Sequence, residues 1–96
     1  MIVSVLAALA EPTRLEAMRL LRDGSECCVC QLMRALGATQ SRMSRHMQVL
    51  KQAGLVIDRR DAQWVRYRRN PELPPAIAAV VDAALDAVQP AERRAA

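Results

Sequence analysis

Residues 38–54 read Ala38-Thr39-Gln40-Ser41-Arg42-Met43-Ser44-Arg45-His46-Met47-Gln48-Val49-Leu50-Lys51-Gln52-Ala53-Gly54, and this stretch decides the fold. Thr39 is an N-cap residue, Met43, Met47 and Leu50 recur at helical spacing, and Gly54 closes the run. The outward set is Gln40, Ser41, Arg42, Ser44, Arg45 and His46. A helix that reads DNA must bury one stripe in its own domain and present forked donors to base edges and phosphates; this pattern does both. Immediately upstream, Gly37-Ala38 forms a tight turn after a helix that Ser25 can cap and that runs to Leu36. Helix, short glycine-bearing turn and helix make a helix-turn-helix.

Downstream of Gly54 the period changes. Leu55–Arg60 and Trp64–Arg69 are rich in β-branched, aromatic and arginine residues, and Asp61-Ala62-Gln63 separates them, so they predict a hairpin. It would stand as a basic wing beside the helix, with Val65 and Tyr67 on one face and Trp64, Arg66 and Arg68 on the other. Ala62 occupies a turn position where glycine would relieve a positive φ, a strain of about 1 kcal/mol. Arg59, Arg60, Gln63 and Arg66 are the wing's candidate DNA contacts; together with Thr39 and the outward set of the helix they form the candidate interface.

Charge placement supports a polyanionic partner. Of the formal +4, residues 1–39 contribute 0, residues 40–70 contribute +6 and residues 71–96 contribute −2. A basic excess confined to one third of a small chain is the footprint expected for a polyanion such as double-stranded DNA, with counterion release dominating affinity.

The rest of the chain predicts helices around one core. Ile2, Val5, Leu6 and Leu9 share a helical face, Glu11-Pro12-Thr13 breaks and restarts the run, and Leu15, Met18 and Leu21 point inward from the next helix. Pro74-Pro75 opens a last helix with an apolar stripe of Ile77, Val81, Ala84, Leu85 and Val88. Stripes on both terminal helices exceed what one small core needs, so the surplus is expected to form a homodimer interface; 96 residues support only a modest core alone. The expected fold is mainly α with a small β-hairpin, in one winged helix-turn-helix domain over residues 1–89 followed by a frayed tail over 90–96. Ile2–Ala10 is an apolar run with no basic residue before it and too short to span a bilayer. It reads as part of the domain, with no membrane association, in a cytoplasmic protein.

Cys27, Cys28 and Cys30 form the second informative cluster. In a reducing compartment they are expected to be free thiols or metal ligands rather than a disulfide framework. Thiolates suit thiophilic ions. On the helix that Ser25 caps, Cys27 and Cys30 share a face while Cys28 and Cys30 point about 200° apart, so chelation by the latter pair would distort the first turn. Cys27 and Cys30 also have C-x-x-C spacing, but no βαβ pattern surrounds them. With a single histidine, no nucleophile-base arrangement and no phosphate-binding glycine loop, an enzyme is not expected; the remaining alternative, a thiol enzyme or a purely structural helical dimer, predicts no salt-dependent duplex binding.

Ala10-Glu11-Pro12-Thr13-Arg14, Glu26-Cys27-Cys28-Val29-Cys30-Gln31-Leu32, Ser44-Arg45-His46 with Leu50, and Ala53-Gly54-Leu55-Val56 resemble the ArsR/SmtB family of metal- and metalloid-responsive repressors. The resemblance covers roughly residues 5–88. It implies a winged helix-turn-helix homodimer, joined through its first and last helices, that leaves operator DNA when its inducer binds. Cys28-Val29-Cys30 is similar to the arsenic-sensing branch, which implies As(III) or Sb(III) as inducer held by Cys27, Cys28 and Cys30. The branch's third cysteine is replaced here by Met33, so a two-thiol site favouring a carbon-substituted arsenical is an alternative, as is sensing of Cd(II) or of thiol oxidation. The last helix has Asp82 and Asp86 but lacks the histidine of the family's zinc sensors.

Overall fold

A computed structural model of the chain describes residues 1–88. In chain order it has α1 Ile2–Leu9, α2 Pro12–Leu20, β1 Cys27–Cys28, α3 Val29–Leu36, α4 Gln40–Gln52, β2 Val56–Asp61, β3 Trp64–Arg69 and α5 Pro75–Asp86. The mainly helical fold with its small hairpin is the expected one; the proposed tail over 90–96 and the domain's end at residue 89 lie outside the described residues.

α4 is packed as its periodicity demands. Met43, Met47 and Leu50 are fully buried together with Met18, Leu21, Leu32, Leu55 and Val81; each such side chain contributes about 1.5–3 kcal/mol of burial. The helix rests on α1, α2, α3 and β2. Thr39 Oγ1 accepts from the Arg42 backbone N–H at 3.3 Å and caps it. Before it, α3 ends on Gly37 at φ 67°, a left-handed C-cap that a side chain would strain. α2 starts with Pro12 in its first turn, and the Glu11 carboxylate accepts from the Arg14 backbone N–H at 2.8 Å.

The segment between α2 and α3 departs from expectation. Ser25 does not cap a long helix: its N–H is held by the Asp23 carboxylate at 3.0 Å, and the chain runs extended through Cys27 and Cys28 before α3 begins. Two forces outcompete the helix. β3 offers an open edge, and β1 pairs with it antiparallel, Cys27 opposite Tyr67 and Cys28 opposite Arg66. In addition, Cys28 has a glutamine three residues on with which to form a reciprocal cap. The Cys28 sulfur accepts from the Gln31 N–H at 3.4 Å, and the Gln31 side chain accepts from the Cys28 N–H at 2.8 Å, a reciprocal capping box with a cysteine sulfur in the usual hydroxyl position.

The sheet therefore has three strands in the order β1-β3-β2. The hairpin is tighter than expected, because Asp61 pairs with Trp64 and leaves only Ala62-Gln63 as the turn. Ala62 does take φ 56°, the only positive φ of a non-glycine among the described residues. On α5, Val81 and Leu85 are buried and Ile77 and Ala84 half-buried, and Val88, just beyond the helix, is buried too. α1 buries Val5, Ala8 and Leu9 but leaves Ile2, Val3 and Leu6 exposed at 42%, 76% and 51%, beside Met1 at 63%.

Candidate nucleic-acid interface and thiol site

The first turns of α4 present Thr39, Gln40, Ser41, Arg42 and Arg45 to solvent, with Ser44 half-buried. Arg42 and Arg45 form no ion pair among the described residues, so their guanidinia are available to phosphates or base edges. His46 faces inward instead. Arg14 Nη1 lies 3.2 Å from its Nδ1, and its Nε2 lies 3.8 Å from Glu11 Oε2. Arg14 is anchored by donating from Nε to the Ala8 carbonyl at 2.6 Å. His46 thus braces α4 against the corner between α1 and α2. Burial pushes its pKa down, the nearby Arg14, Arg42 and Arg45 push the same way, and Glu11 pulls against them. Arg14, which composition and periodicity did not single out, is the residue that sets this brace.

The wing divides its cations. Arg60 and Gln63 are exposed, Arg60 without an ion pair among the described residues, and exposed Arg68 joins it. Arg59 is forked on Glu26, Nε to Oε2 at 2.7 Å and Nη2 to Oε1 at 2.8 Å, and this contact holds the Glu26 carboxyl below its usual range. Arg66 donates to Asp61 at 3.0 Å. Arg69 donates to Asp82 at 2.8 Å, and Arg22 donates to Asp86 at 2.7 Å; these pairs tie the hairpin and the turn after α2 to α5.

The three cysteines do not share one environment. Strand alternation sends Cys27 and Cys28 to opposite faces. Cys27, opposite buried Tyr67, packs against the core, and burial raises its thiol pKa. Cys28 is only 6% exposed yet lies outside the core cluster, on the face of Arg66. It is joined to Cys30 in a disulfide with a Cα–Cα distance of 5.3 Å, leaving Cys27 as the free thiol among the described residues. This corrects two expectations, that all three are unpaired and that Cys28 and Cys30 diverge by about 200°. Both assumed a helical Cys28, whereas Cys28 is the extended cap and its side chain turns back toward Cys30. The two sulfurs of the pair thus meet at the start of α3. No group of three or more His, Cys, Asp or Glu side chains is placed to hold a metal ion among the described residues. Cys28 and Cys30 are the pair that the fold brings together, and Cys27 lies on the opposite face of the strand.

Residues 11–58 match the helix-turn-helix family described as "Bacterial regulatory protein, arsR family". The arsenical resistance operon repressor of Escherichia coli is 39% identical over 82 residues, covering 85% of this chain and 70% of that protein. The chain belongs to the arsR family. The arsenic resistance transcriptional regulator ArsR2 of Pseudomonas putida is 47% identical over 70 residues, 73% of this chain, and the match spans 61% of that regulator's length. Among solved structures, HlyU of Vibrio cholerae superposes with a TM-score of 0.73 at 32% identity, covering 84% of each chain. A possible transcriptional regulator for arsenical resistance gives 0.68 at 35% identity, covering 86% of this chain and 81% of that one. The arsR family consists of DNA-binding transcriptional regulators and not enzymes, and no helix of the described residues is long and apolar enough to cross a membrane.

Proposed function

We propose that this ArsR-family repressor leaves its operator when trivalent arsenic or antimony is taken by the thiolates of Cys28 and Cys30. The observation that carries the reading is the position of Cys28, at once the last residue of β1, the cap of α3 and the partner of Cys30. α3 packs on α4, so a disturbed cap is felt by the helix that reads DNA. Two thiols condensing with a trivalent arsenical release two waters and leave its third bond to a substituent, which favours an organic arsenical over a site needing Cys27. The repressor acts as a homodimer through α1 and α5, and exposed Met1, Ile2, Val3 and Leu6 supply the apolar surface for that contact. The two α4 helices then enter successive major grooves about 34 Å apart, a spacing that a small rotation of each protomer spoils.

A second reading, sensing of thiol oxidation, is favoured by the Cys28–Cys30 disulfide itself. In the cytoplasm the pair is held as thiols, and the disulfide corresponds to its oxidised form.

Fluorescence anisotropy of the reduced protein on its own promoter duplex, titrated with arsenite, antimonite, a trivalent methylarsenical, Cd(II) and Zn(II), separates these. Release at near-stoichiometric metalloid supports the first reading. Release only on oxidation replaces it with the second.

A further inference from the structure

We infer that the wing, and not α4 alone, carries the state of the thiol pair, and that Glu26 is the positioning residue that couples the two. The inference rests on the reading of Cys28 and Cys30 as the sensing pair, and adds a second route from them to DNA.

The register of the sheet places Cys28 opposite Arg66 on β3, and Arg66 opposite Arg59 on β2. Residues directly opposite in an antiparallel sheet project from the same face, so Cys28, Arg66 and Arg59 form one row across all three strands. Arg59 then reaches back over that row to the carboxylate of Glu26, two residues before Cys28, through both of its donors. A forked guanidinium-carboxylate contact fixes direction as well as distance. The wing is consequently fastened to the thiol segment twice, by the β1–β3 ladder and by a clamp from the far strand.

The sulfur of Cys28 is the branch point. It accepts from the Gln31 N–H, and any partner that takes its lone pair competes with that cap and displaces the end of β1. On the helix side the displacement passes to α3. On the strand side it passes through Glu26 to Arg59 and so to the wing, whose exposed Arg60 and Arg68 lie in the same hairpin. Glu26 also neutralises Arg59 while the clamp is closed, so its geometry sets how much of the wing's charge faces outward.

Trp64 at the tip of β3 reports on the wing, and the full chain offers three thiol states: reduced, oxidised with diamide, and bound to phenylarsine oxide. Hydrogen exchange over residues 56–69 and Trp64 emission are measured in each state, alongside duplex affinity with and without phenylarsine oxide. We expect wing exchange and Trp64 emission to differ between thiol states in the wild type. In Glu26→Gln, Arg59→Gln and the double variant, those differences and the ratio of duplex Kd values with and without phenylarsine oxide should shrink by roughly threefold or more. The double variant should lose no more than either single one. A wing identical in all three states, or a Glu26→Gln variant in which both Kd values move together and their ratio is kept, overturns the inference. A wing that responds while the arsenical fails to release DNA leaves the coupling standing and removes the metalloid reading. Release of DNA with a silent wing does the reverse.

Discussion

Arg14 donates from Nη1 to Nδ1 of His46 at 3.2 Å, and because a guanidinium only donates, the imidazole proton sits on Nε2, turned toward Glu11 Oε2 at 3.8 Å. One neutral tautomer of one ring thus joins the corner between α1 and α2 to the centre of the recognition helix. A protonated ring would lose its acceptor and face Arg14 with a like charge.

This arrangement sets a pH dependence. Burial, with the neighbouring arginines, depresses the His46 pKa below its ordinary 6.5, so the unfolded chain binds that proton more tightly than the folded one. Stability rises with pH wherever the unfolded state holds more protons. His46 therefore contributes fully above the unfolded value and its contribution is lost as pH falls below 6.5 toward the lower folded value. Thermal melts between pH 7.5 and 5, a range set around the usual histidine value of about 6.5, should show a falling Tm in the wild type and a flatter profile in His46→Gln. Parallel profiles would show that the brace does not titrate.

Serine replacements should separate the thiols. Serine is a preferred N-cap, so Cys28→Ser keeps the start of α3 and its fold. Duplex binding by Cys28→Ser and Cys30→Ser should be near wild type, while release by a trivalent methylarsenical should need on the order of tenfold more ligand or fail, as expected when one of two soft ligands is removed. Cys27→Ser, altered on the opposite face, should respond normally. Loss of response in Cys27→Ser with retention in the other two would make the core-facing thiol the sensor.

The exposed and the paired arginines should differ in their salt dependence. Arg42→Ala, Arg45→Ala or Arg60→Ala should each weaken duplex binding and lower the slope of log K against log salt by about 1. Arg66→Ala, whose guanidinium is held by Asp61, should lower it less. Equal slopes for all four, measured by anisotropy across a salt series, would mean that DNA draws Arg66 away from its partner.

What could be read from the sequence was what is local. The cap at Thr39, the stripe of Met43, Met47 and Leu50, and the two-strand pattern around Ala62 each lie within one segment, where a 3.6- or 2-residue period announces itself. β1 has two residues, too few to show any period, and exists because β3 offers an edge to Cys27 and Cys28 from Tyr67 and Arg66. His46 reads as an outward residue by its spacing, but its orientation depends on Arg14, 32 positions away. Arg59 reads as a free cation until Glu26, 33 positions away, is brought beside it. The one local sign that was available was Cys28-Val29-Cys30-Gln31, which has capping-box spacing with a thiol in place of a hydroxyl.

Ala62 supplies the last test, because strain and function meet at the wing tip. Asp61 and Trp64 pair directly across it, so the turn has two residues, and Ala62 alone of them takes a positive φ, 56°. A hairpin with positive φ at its first central position favours glycine there, since the left-handed region costs an L side chain about 1 kcal/mol or more. Glycine also loosens the unfolded chain, which offsets part of the gain. Ala62→Gly should still stabilise the protein by up to about 1 kcal/mol, a Tm increase of about 4–8 °C for a domain of this size. It should leave duplex affinity within about twofold, because neither Arg60 nor Gln63 is replaced and changes outside the contacts act weakly. A lower Tm would mean that the alanine methyl is packed rather than strained, and that the wing tip is held by side-chain contact instead of by the turn.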